Sequence, residues 1–314
     1  IDKTSEFCRQ KLDELTIPVR NQQDIRAVAS ISAGNDVSIG DMIAEAIEKV
    51  GPDGVLSIEN GTGLETVVEV EEGMEIDRGY ISPQFVNDDE RLMVEFEGCR
   101  VLITDEKIEQ VQVLVPLLEE VSQAGSPPLL IIAEDITGEA LATLVVNKMR
   151  GVLKVAAIKA PGFGERRKAL LQDIAIVTGA QYIAKDLGLS VARANMDCLG
   201  YARKVSIAQT TTTMIADGAS KEDIDLRVAQ LKQELAETDS VYDTQKLSER
   251  LAKLAGGVAV IKVGAATETE LEERKLRIED AKNATFAAVE EGIVPGGGAA
   301  LVHLSKMIDE FKPT

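Results

Sequence analysis

The sequence predicts an α/β and α+β fold in which one module is inserted into another. Between residues 74 and 190, short apolar strands alternate with helical runs, a pattern typical of an α/β layer. On both sides of that region, amphipathic helices are combined with a stretch that alternates in polarity. We therefore expect β/α layers with flanking helices, inserted into a helical and hairpin module.

The N-terminal part predicts helices followed by a β-hairpin. Residues 1–15 have an acidic amphipathic pattern unlike that of a signal or transit peptide, so any targeting segment is expected to lie outside these 314 residues. Apolar residues follow helical spacing from 39 to 50, and the Gly-Pro pair at 51–52 ends the run. Residues 55–73 alternate with period two around an Asn-Gly pair, which favours a hairpin.

The central region predicts the α/β layer itself, followed by two more helices. Strands are expected at 101–104, 129–135 and 155–160, and helices at 107–124, 138–150 and 166–178. Two apolar stripes between 221 and 255, with a break at 238–240, indicate a helical hairpin that ends at Gly256-Gly257.

The C-terminal part predicts a strand at 258–264 and one long helix. Residues 267–270, from Thr to Glu, have the spacing of a capping box, and the helix runs to Gly292. Asp280 lies on this helix among alanines, and a triple glycine at 296–298 precedes another helical run. Taken alone, the acid is interpreted as a solvated surface residue and the glycines as a turn, with a nucleotide contact as the alternative.

Composition and charge exclude several classes of function. The formal net charge is −19, which argues against nucleic acid or an anionic membrane as a partner. The three cysteines are far apart and His303 is the single histidine, so we expect no disulfide framework and no zinc or histidine-rich metal site, and most catalytic schemes that pair histidine with serine or cysteine are excluded. No apolar run approaches the ~20 residues of a transmembrane helix.

Two of the predicted helices, 107–124 and 138–150, carry more apolar residues than one buried face requires. Such helices are either buried on all sides or present a hydrophobic groove, and the residues alone leave both interpretations open. The segment 162–168 lacks the Gly-Lys-Ser/Thr of a phosphate loop and is better interpreted as a turn with a charged cap. An enzyme acting on a phosphorylated small molecule and a purely structural assembly module therefore remain alternatives to a binding protein.

Several long motifs resemble one known family. The stretches at 71–85, 128–151, 159–179, 252–270 and 277–304 resemble group I chaperonins of the GroEL type. The resemblance covers essentially the whole chain, and it is greatest to the plastid alpha-type subunits of that family.

The resemblance implies an ATP-driven protein-folding subunit of stacked rings. The implied domains are equatorial remnants at 1–14 and 292–314, an intermediate domain at 15–71 and 259–291, and an apical polypeptide-binding domain at 72–258. The implied cofactors are ATP and Mg. The implied partners are unfolded polypeptides including the RuBisCO large subunit, other chaperonin alpha and beta subunits and a co-chaperonin, in the chloroplast stroma. The family's phosphate-binding segment would precede residue 1, so we expect this chain to bind polypeptide without hydrolysing ATP.

The resemblance also implies residues for the ATPase and for subunit contacts. Asp280 matches the family's ATP-hydrolysis aspartate, and Gly297 matches a glycine that contacts the nucleotide. Arg78 and Glu268 match an ion pair between neighbouring subunits.

Two further sets of residues follow from the same resemblance. Gly73 and Gly257 fall where the family hinges its apical domain, although ordinary turn chemistry would also explain glycine there. Polypeptide and co-chaperonin binding is implied for Tyr80, Ile81, Ser82, Gln84, Phe85, Val115, Leu118, Leu141, Val145, Val146 and Asn147. Gln84 departs from the aromatic residue common in bacterial relatives, so its segment is expected to be less hydrophobic.

Overall fold

The computed structural model of the protein contains two compact units. It describes residues 2–19, 21–51, 54–61, 63–71, 73–216, 221–238, 240–255 and 257–308. Unit 1 consists of Ile1–Pro52, Leu56–Glu69 and Ala259–Thr314, and unit 2 consists of Asp53–Val55 and Val70–Val258. Asp239 and Gly256, which belong to the predicted helix breaks, lie outside the described residues.

The described residues form a mixed α and β fold, as the sequence predicts. The helices are α1 (Asp2–Leu15), α2 (Gln22–Ser32), α3 (Val37–Val50), α4 (Val115–Gln123), α5 (Gly138–Met149), α6 (Gly164–Thr178), α7 (Lys221–Glu237), α8 (Val241–Ala255), α9 (Glu268–Glu291) and α10 (Ala299–Met307). The strands are β1 (Val55–Asn60), β2 (Val67–Glu71), β3 (Gly73–Ile76), β4 (Val94–Thr104), β5 (Lys107–Ile108), β6 (Leu129–Ala133), β7 (Asp135–Ile136), β8 (Val155–Lys159), β9 (Tyr182–Ile183), β10 (Gly200–Ile207), β11 (Thr212–Ala216) and β12 (Val258–Val263).

Unit 1 packs α2, α3 and α9 with a three-stranded sheet around one apolar cluster. Ile43 on α3, Ile261 on β12 and Ile278 on α9 are fully buried in this cluster. The Asp36 carboxylate begins α3 by accepting a hydrogen bond from the Ser38 N–H at 2.9 Å. The helical spacing predicted for residues 39–50 is thereby confirmed.

The predicted β-hairpin at 55–73 is wrong, because β12 lies between its two strands. The sheet order is β1-β12-β2, and the Gly61 N–H donates to the Val263 carbonyl at 2.8 Å. Alternating polarity indicates a half-buried strand but does not specify which strand pairs with it. All but one of the residues of β12 are buried, so this strand fits the centre of the sheet better than either half-exposed neighbour.

Unit 2 is built on a mixed sheet with the strand order β3-β11-β10-β4-β6-β8. Strands β4, β6 and β8 are parallel, whereas β3, β11, β10 and β4 pair antiparallel. The short strand β9 pairs with the end of β4. The three apolar strands predicted at 101–104, 129–135 and 155–160 are therefore confirmed as the parallel part of this sheet.

The helices of unit 2 are divided between the two faces of the sheet. Helices α4 and α5 connect β4 to β6 and β6 to β8, so right-handed crossovers place both on one face. Helix α6 returns from β8 towards β9, which places it on the opposite face. The hairpin of α7 and α8 packs against α6 and provides that face with a second helical layer.

The first predicted helix of this region is shorter than the sequence indicated. Residues 107–108 form β5, residues 111–113 form a 3-10 turn, and α4 begins only at Val115. Pro116 explains the late start, because proline has no N–H to donate and is favoured in the first turn of a helix. The helices predicted at 138–150 and 166–178 are confirmed as α5 and α6.

A buried carboxylate joins the helical hairpin to α6. Asp173 on α6 is 1% exposed, and its two oxygens accept hydrogen bonds from two arginines. Arg227 on α7 donates from Nε at 2.8 Å, and Arg250 on α8 donates from Nε at 2.7 Å and from Nη2 at 3.0 Å. Each helix of the hairpin is thus held to α6 by a charged hydrogen bond in addition to its apolar contacts.

We expect Asp173→Ala to destabilise unit 2 strongly, because it would leave two nearly buried guanidinium groups without their carboxylate. Removing one partner of a buried ion pair costs about 3–5 kcal/mol. Urea unfolding followed by far-UV circular dichroism measures the change in unfolding free energy. The exposed Asp225→Ala on α7 is the matched control and should change that free energy by less than about 0.5 kcal/mol. If the two substitutions changed the unfolding free energy equally, Asp173 would not hold the helical hairpin to α6 as described.

Candidate functional site

The segment at residues 80–86 is held against the edge of the unit 2 sheet. The Ile81 N–H donates to the Ala157 carbonyl on β8 at 2.9 Å, and the Tyr80 N–H donates to the Ala208 carbonyl at 3.2 Å. Residues 83–85 then form a 3-10 turn. Its N-terminus is capped by the Ser82 hydroxyl, which accepts a hydrogen bond from the Gln84 N–H at 3.4 Å. The Phe85 ring is completely buried, whereas the Gln84 side chain faces solvent. A buried anchor therefore supports an exposed turn.

The far end of this segment is tied to α5. The Lys148 ammonium, near the C-terminus of α5, donates to the Val86 carbonyl at 2.5 Å. Directly afterwards, the Asn87 side chain exchanges two hydrogen bonds of 2.9 Å with the backbone of Glu95 on β4. The exposed turn thus has polar anchors on both sides, and only one of them depends on α5.

Helix α5 presents both a buried and an exposed apolar face. Ala140, Leu144 and Val145 are buried against the sheet. Val146 is 43% exposed and Met149 is 69% exposed, although both are apolar. Because exposed apolar residues that lie three positions apart share one helix face, they form a continuous apolar stripe.

Helix α4 repeats this arrangement on a smaller scale. Leu117 and Val121 are buried, together with Leu114 just before the helix. Val115 is 37% exposed, and Leu118 is partly buried against the core. The apolar excess that the sequence showed in both helices is therefore divided between core packing and exposure.

The residues implied in polypeptide binding fall into three classes of burial. Gln84, Val115 and Val146 are exposed; Tyr80, Ile81, Leu118, Leu141 and Asn147 are partly buried; Ser82, Phe85 and Val145 are buried. The Asn147 side chain donates to the Thr143 carbonyl of its own helix at 2.9 Å.

Sequence reasoning did not select Met149 or Val152 for this surface. Val152 lies just beyond α5 and is 52% exposed. The signal was present, because Val146, Met149 and Val152 recur every three residues.

Asp280 and Gly297 belong to unit 1. Asp280 is exposed on α9 beside the buried Ala281, and no side-chain hydrogen bond or ion pair to it occurs within the described part of the chain. Gly297 has a φ of +64° in the turn before α10, a conformation that favours glycine. The described residues contain no group of three His, Cys, Asp or Glu that could hold a metal ion. Asp280 and Gly297 thus supply one carboxylate and one open backbone turn, which are part of what a nucleotide site needs.

Both implied hinge glycines are required by close packing. A Cβ on Gly73 would lie 2.3 Å from the Met214 carbonyl oxygen. Gly257 has a φ of +64°, and a Cβ there would lie 2.6 Å from the Glu71 carbonyl oxygen. Close approach of the backbone therefore accounts for glycine at both positions, and rotation about them stays a prediction.

The remaining motifs and groups indicate structural roles. In the segment 162–168, Arg167 pairs with Glu134 at 2.7 Å and Arg166 pairs with Glu249 at 3.5 Å, which agrees with a turn bearing a charged cap. Burial raises the pKa of the Cys99 thiol to about 12, so it remains protonated and unreactive near neutral pH. None of the described helices has the length and apolar character that crossing a membrane would take.

Comparison with known proteins identifies the family. A model described as the TCP-1/cpn60 chaperonin family matches residues 1–314. The chain belongs to this chaperonin family. The resemblance noted in the long sequence motifs is thereby confirmed.

Plastid chaperonins are among the similar proteins. The RuBisCO large subunit-binding protein subunit alpha, chloroplastic, of Chlamydomonas reinhardtii is 70% identical over 314 residues, which cover all of this chain and 54% of that protein. Chaperonin 60 subunit alpha 1, chloroplastic, of Arabidopsis thaliana is 69% identical over 314 residues, covering all of this chain and 53% of that protein. The RuBisCO large subunit-binding protein subunit alpha, chloroplastic, of Triticum aestivum is 69% identical over 314 residues, which cover all of this chain and 58% of that protein. The chain spans about half the length of these curated relatives.

In this chaperonin chain, we expect Lys148→Met to loosen the turn at 83–86, because it keeps the apolar stem but removes the donor to Val86. Loss of a charged hydrogen bond costs about 1.5 kcal/mol of unfolding free energy. Hydrogen exchange should become about tenfold faster at the amides of residues 84–87. The exposed Lys185→Met is the control and should leave these amides unchanged. Unaltered exchange in the Lys148 variant would show that the bond does not hold the turn.

Proposed function

We propose that this chain is part of an ATP-dependent chaperonin subunit that captures non-native polypeptides. The capture surface, as we define it, consists of the exposed residues Gln84, Val115, Val146 and Met149. Tyr80, Ile81, Leu118, Leu141 and Asn147 border it, and Ser82, Phe85 and Val145 support it from beneath.

One observation carries the proposal: the helices on one face of the unit 2 sheet keep an apolar stripe exposed, whereas α6 on the other face is covered by α7 and α8. Burying a Val or Met side chain contributes about 1.5–3 kcal/mol. A few such contacts supply weak affinity without demanding a particular sequence. This is the chemistry that capture of many unfolded chains needs.

We further propose that unit 2 corresponds to the apical domain, 72–258, and that unit 1 contains the intermediate domain, 15–71 and 259–291. The segments 1–14 and 292–314 would then be equatorial. Support comes from the composition of unit 2, which consists of one long segment, Val70–Val258, and the short segment Asp53–Val55. Gly73 and Gly257 would hinge the apical domain, and Arg78 and Glu268 would pair between subunits.

The proposed partners and compartment rest on the relatives. Their names refer to the RuBisCO large subunit, to chaperonin alpha subunits and to the chloroplast. We propose the RuBisCO large subunit as a client, alpha and beta chaperonin subunits and a co-chaperonin as partners, and the chloroplast stroma as the location.

ATP and Mg are proposed as cofactors of the whole protein. Asp280 would orient the attacking water, and Gly297 would let the nucleotide approach the backbone. When bound, Mg would neutralise charge on the phosphates. We propose that this chain alone lacks the remaining ligands and is inactive as an ATPase.

We expect the double substitution Val146→Ser, Met149→Ser to weaken capture by at least about tenfold, because two exposed apolar contacts would be lost. Capture is measured, without ATP, as suppression of light scattering when denatured RuBisCO large subunit is diluted into the 314-residue chain. Both side chains are exposed, so the unfolding free energy should change little.

The matched control is Leu187→Ser, Leu226→Ser, which removes two exposed leucines elsewhere on unit 2. This control should suppress aggregation as well as the unchanged chain does. If both double variants suppressed aggregation equally poorly, capture would depend on exposed apolar residues in general, and the proposed capture surface would be wrong.

The ATPase proposal has its own test. The 314-residue chain should release no phosphate from Mg-ATP above the buffer rate, and Asp280→Ala should not change this. In the whole protein, the same substitution should lower kcat by about 100-fold or more, as expected for loss of a group acting on the attacking water. Turnover by this chain alone that disappears with Asp280→Ala would overturn the proposed inactivity.

A further inference from the structure

The C-terminal end of α5 combines exposed apolar residues with cations. We define the basic apolar patch as Val146, Met149 and Val152 together with three cationic residues. The cations are Lys148, Arg150 and Lys154, which alternate with the apolar residues along the chain. This concentration of positive charge occurs in a protein whose formal net charge is −19.

The backbone holds this patch in a fixed turn. Gly151 has a φ of +70°, and its N–H donates to the Lys148 carbonyl at 2.9 Å. The Asn147 carbonyl then accepts from the Val152 N–H at 3.0 Å and from the Leu153 N–H at 3.3 Å. Leu153 is buried and anchors the turn, so Val152 remains exposed beside the helix end. The turn therefore extends the apolar stripe beyond α5.

Two of the three cations of the patch, Arg150 and Lys154, are not paired with an acid among the described residues, whereas Lys148 donates to the Val86 carbonyl. Arg150 and Lys154 are exposed, and no carboxylate lies within ion-pair distance of either in the part of the chain that the structure describes. By contrast, Lys159 pairs with Asp135 at 3.0 Å and Arg167 pairs with Glu134 at 2.7 Å. The dipole of α5 favours a cation in its last turn but does not account for Lys154, which lies beyond the helix.

We propose that the basic apolar patch binds polypeptide segments whose apolar residues are flanked by Asp or Glu. The inference rests on the proposed capture of polypeptides and adds a charge preference to it. Apolar contacts with Val146, Met149 and Val152 give affinity, and Arg150 and Lys154 pair with the flanking carboxylates. Such pairs at the rim of an interface mainly select partners and speed association.

The acid nearest along the neighbouring segment, Asp88, forms no ion pair with the cations of the patch among the described residues. Asp88 lies two residues beyond Val86, the residue bonded to Lys148, but its carboxylate accepts hydrogen bonds of 3.1 Å from the N–H groups of Glu90 and Arg91. The Asp88 side chain is therefore engaged in its own turn. An incoming segment would supply the carboxylates that this chain does not place beside Arg150 and Lys154.

The test uses three fluorescent 12-residue peptides with identical apolar residues, flanked by Glu, Gln or Lys. Binding to the 314-residue chain is measured by anisotropy at low and at high salt. The variant is Arg150→Glu, Lys154→Glu. The matched control is Lys185→Glu, Arg193→Glu, which changes the net charge equally at two exposed sites elsewhere on unit 2. Urea unfolding verifies that both variants fold as stably as the unchanged chain.

We expect the Arg150→Glu, Lys154→Glu variant to bind the Glu peptide about fivefold or more weakly than the unchanged chain at low salt. The difference should shrink at high salt, because exposed charges are then screened. The variant should bind the Gln peptide within about twofold of the unchanged chain, and it should gain affinity for the Lys peptide. The control should bind the Glu peptide as the unchanged chain does.

Three outcomes overturn the inference, and they separate it from the proposed function. If Glu and Gln peptides lose affinity equally, or if the control loses as much as the variant, the charge preference is absent while capture stands. If the unchanged chain binds none of the three peptides, capture itself fails, and the preference fails with it.

Discussion

The handedness of the strand connections determines what unit 2 can do. Since β4, β6 and β8 run parallel and follow one another across the sheet, α4 and α5 must lie on the same face. Helix α6 reverses direction and takes the other face, where α7 and α8 cover it. One face is consequently covered by two layers of helices, and the other by a single layer on which Val146 and Met149 are exposed. This difference between the two faces arises from the strand topology, and it leaves Val146 and Met149 on α5 exposed.

The surface on α4 and α5 depends on rigid parts beneath it. Phe85 fills the core under the exposed turn, and Lys148 connects that turn to α5. Weak, promiscuous binding is compatible with such rigidity, because a preorganised surface loses little conformational entropy when a partner binds. In the proposed capture, the adaptable partner would be the unfolded polypeptide. Most of the conformational entropy lost on binding would then be lost by that polypeptide.

Sequence patterns predicted the helices and strands well, but they predicted poorly which strands pair and which side chains are buried. The parallel strands, α5, α6 and the helical hairpin followed from periodicity and from helix stops. The hairpin at 55–73 was wrong because alternation cannot reveal that β12, distant in the chain, pairs with both strands. Apolar excess in α4 and α5 left full burial and an exposed groove both open, and it could not distinguish the buried Val145 from the exposed Val146. That distinction depends on helix rotation against the sheet, which only tertiary packing sets.

The position of β12 has a consequence for synthesis on the ribosome. Strands β1 and β2 emerge early, yet the strand that joins them emerges only after the whole of unit 2 has been translated. Until then, both are unpaired strands whose free edges invite association with other chains. The strands of the mixed sheet of unit 2 all lie within one continuous stretch, residues 73–216. Unit 2 can therefore fold before β12 completes the sheet of unit 1. A protein of the chaperonin family thus has, in its own nascent chain, a segment that needs protection from aggregation.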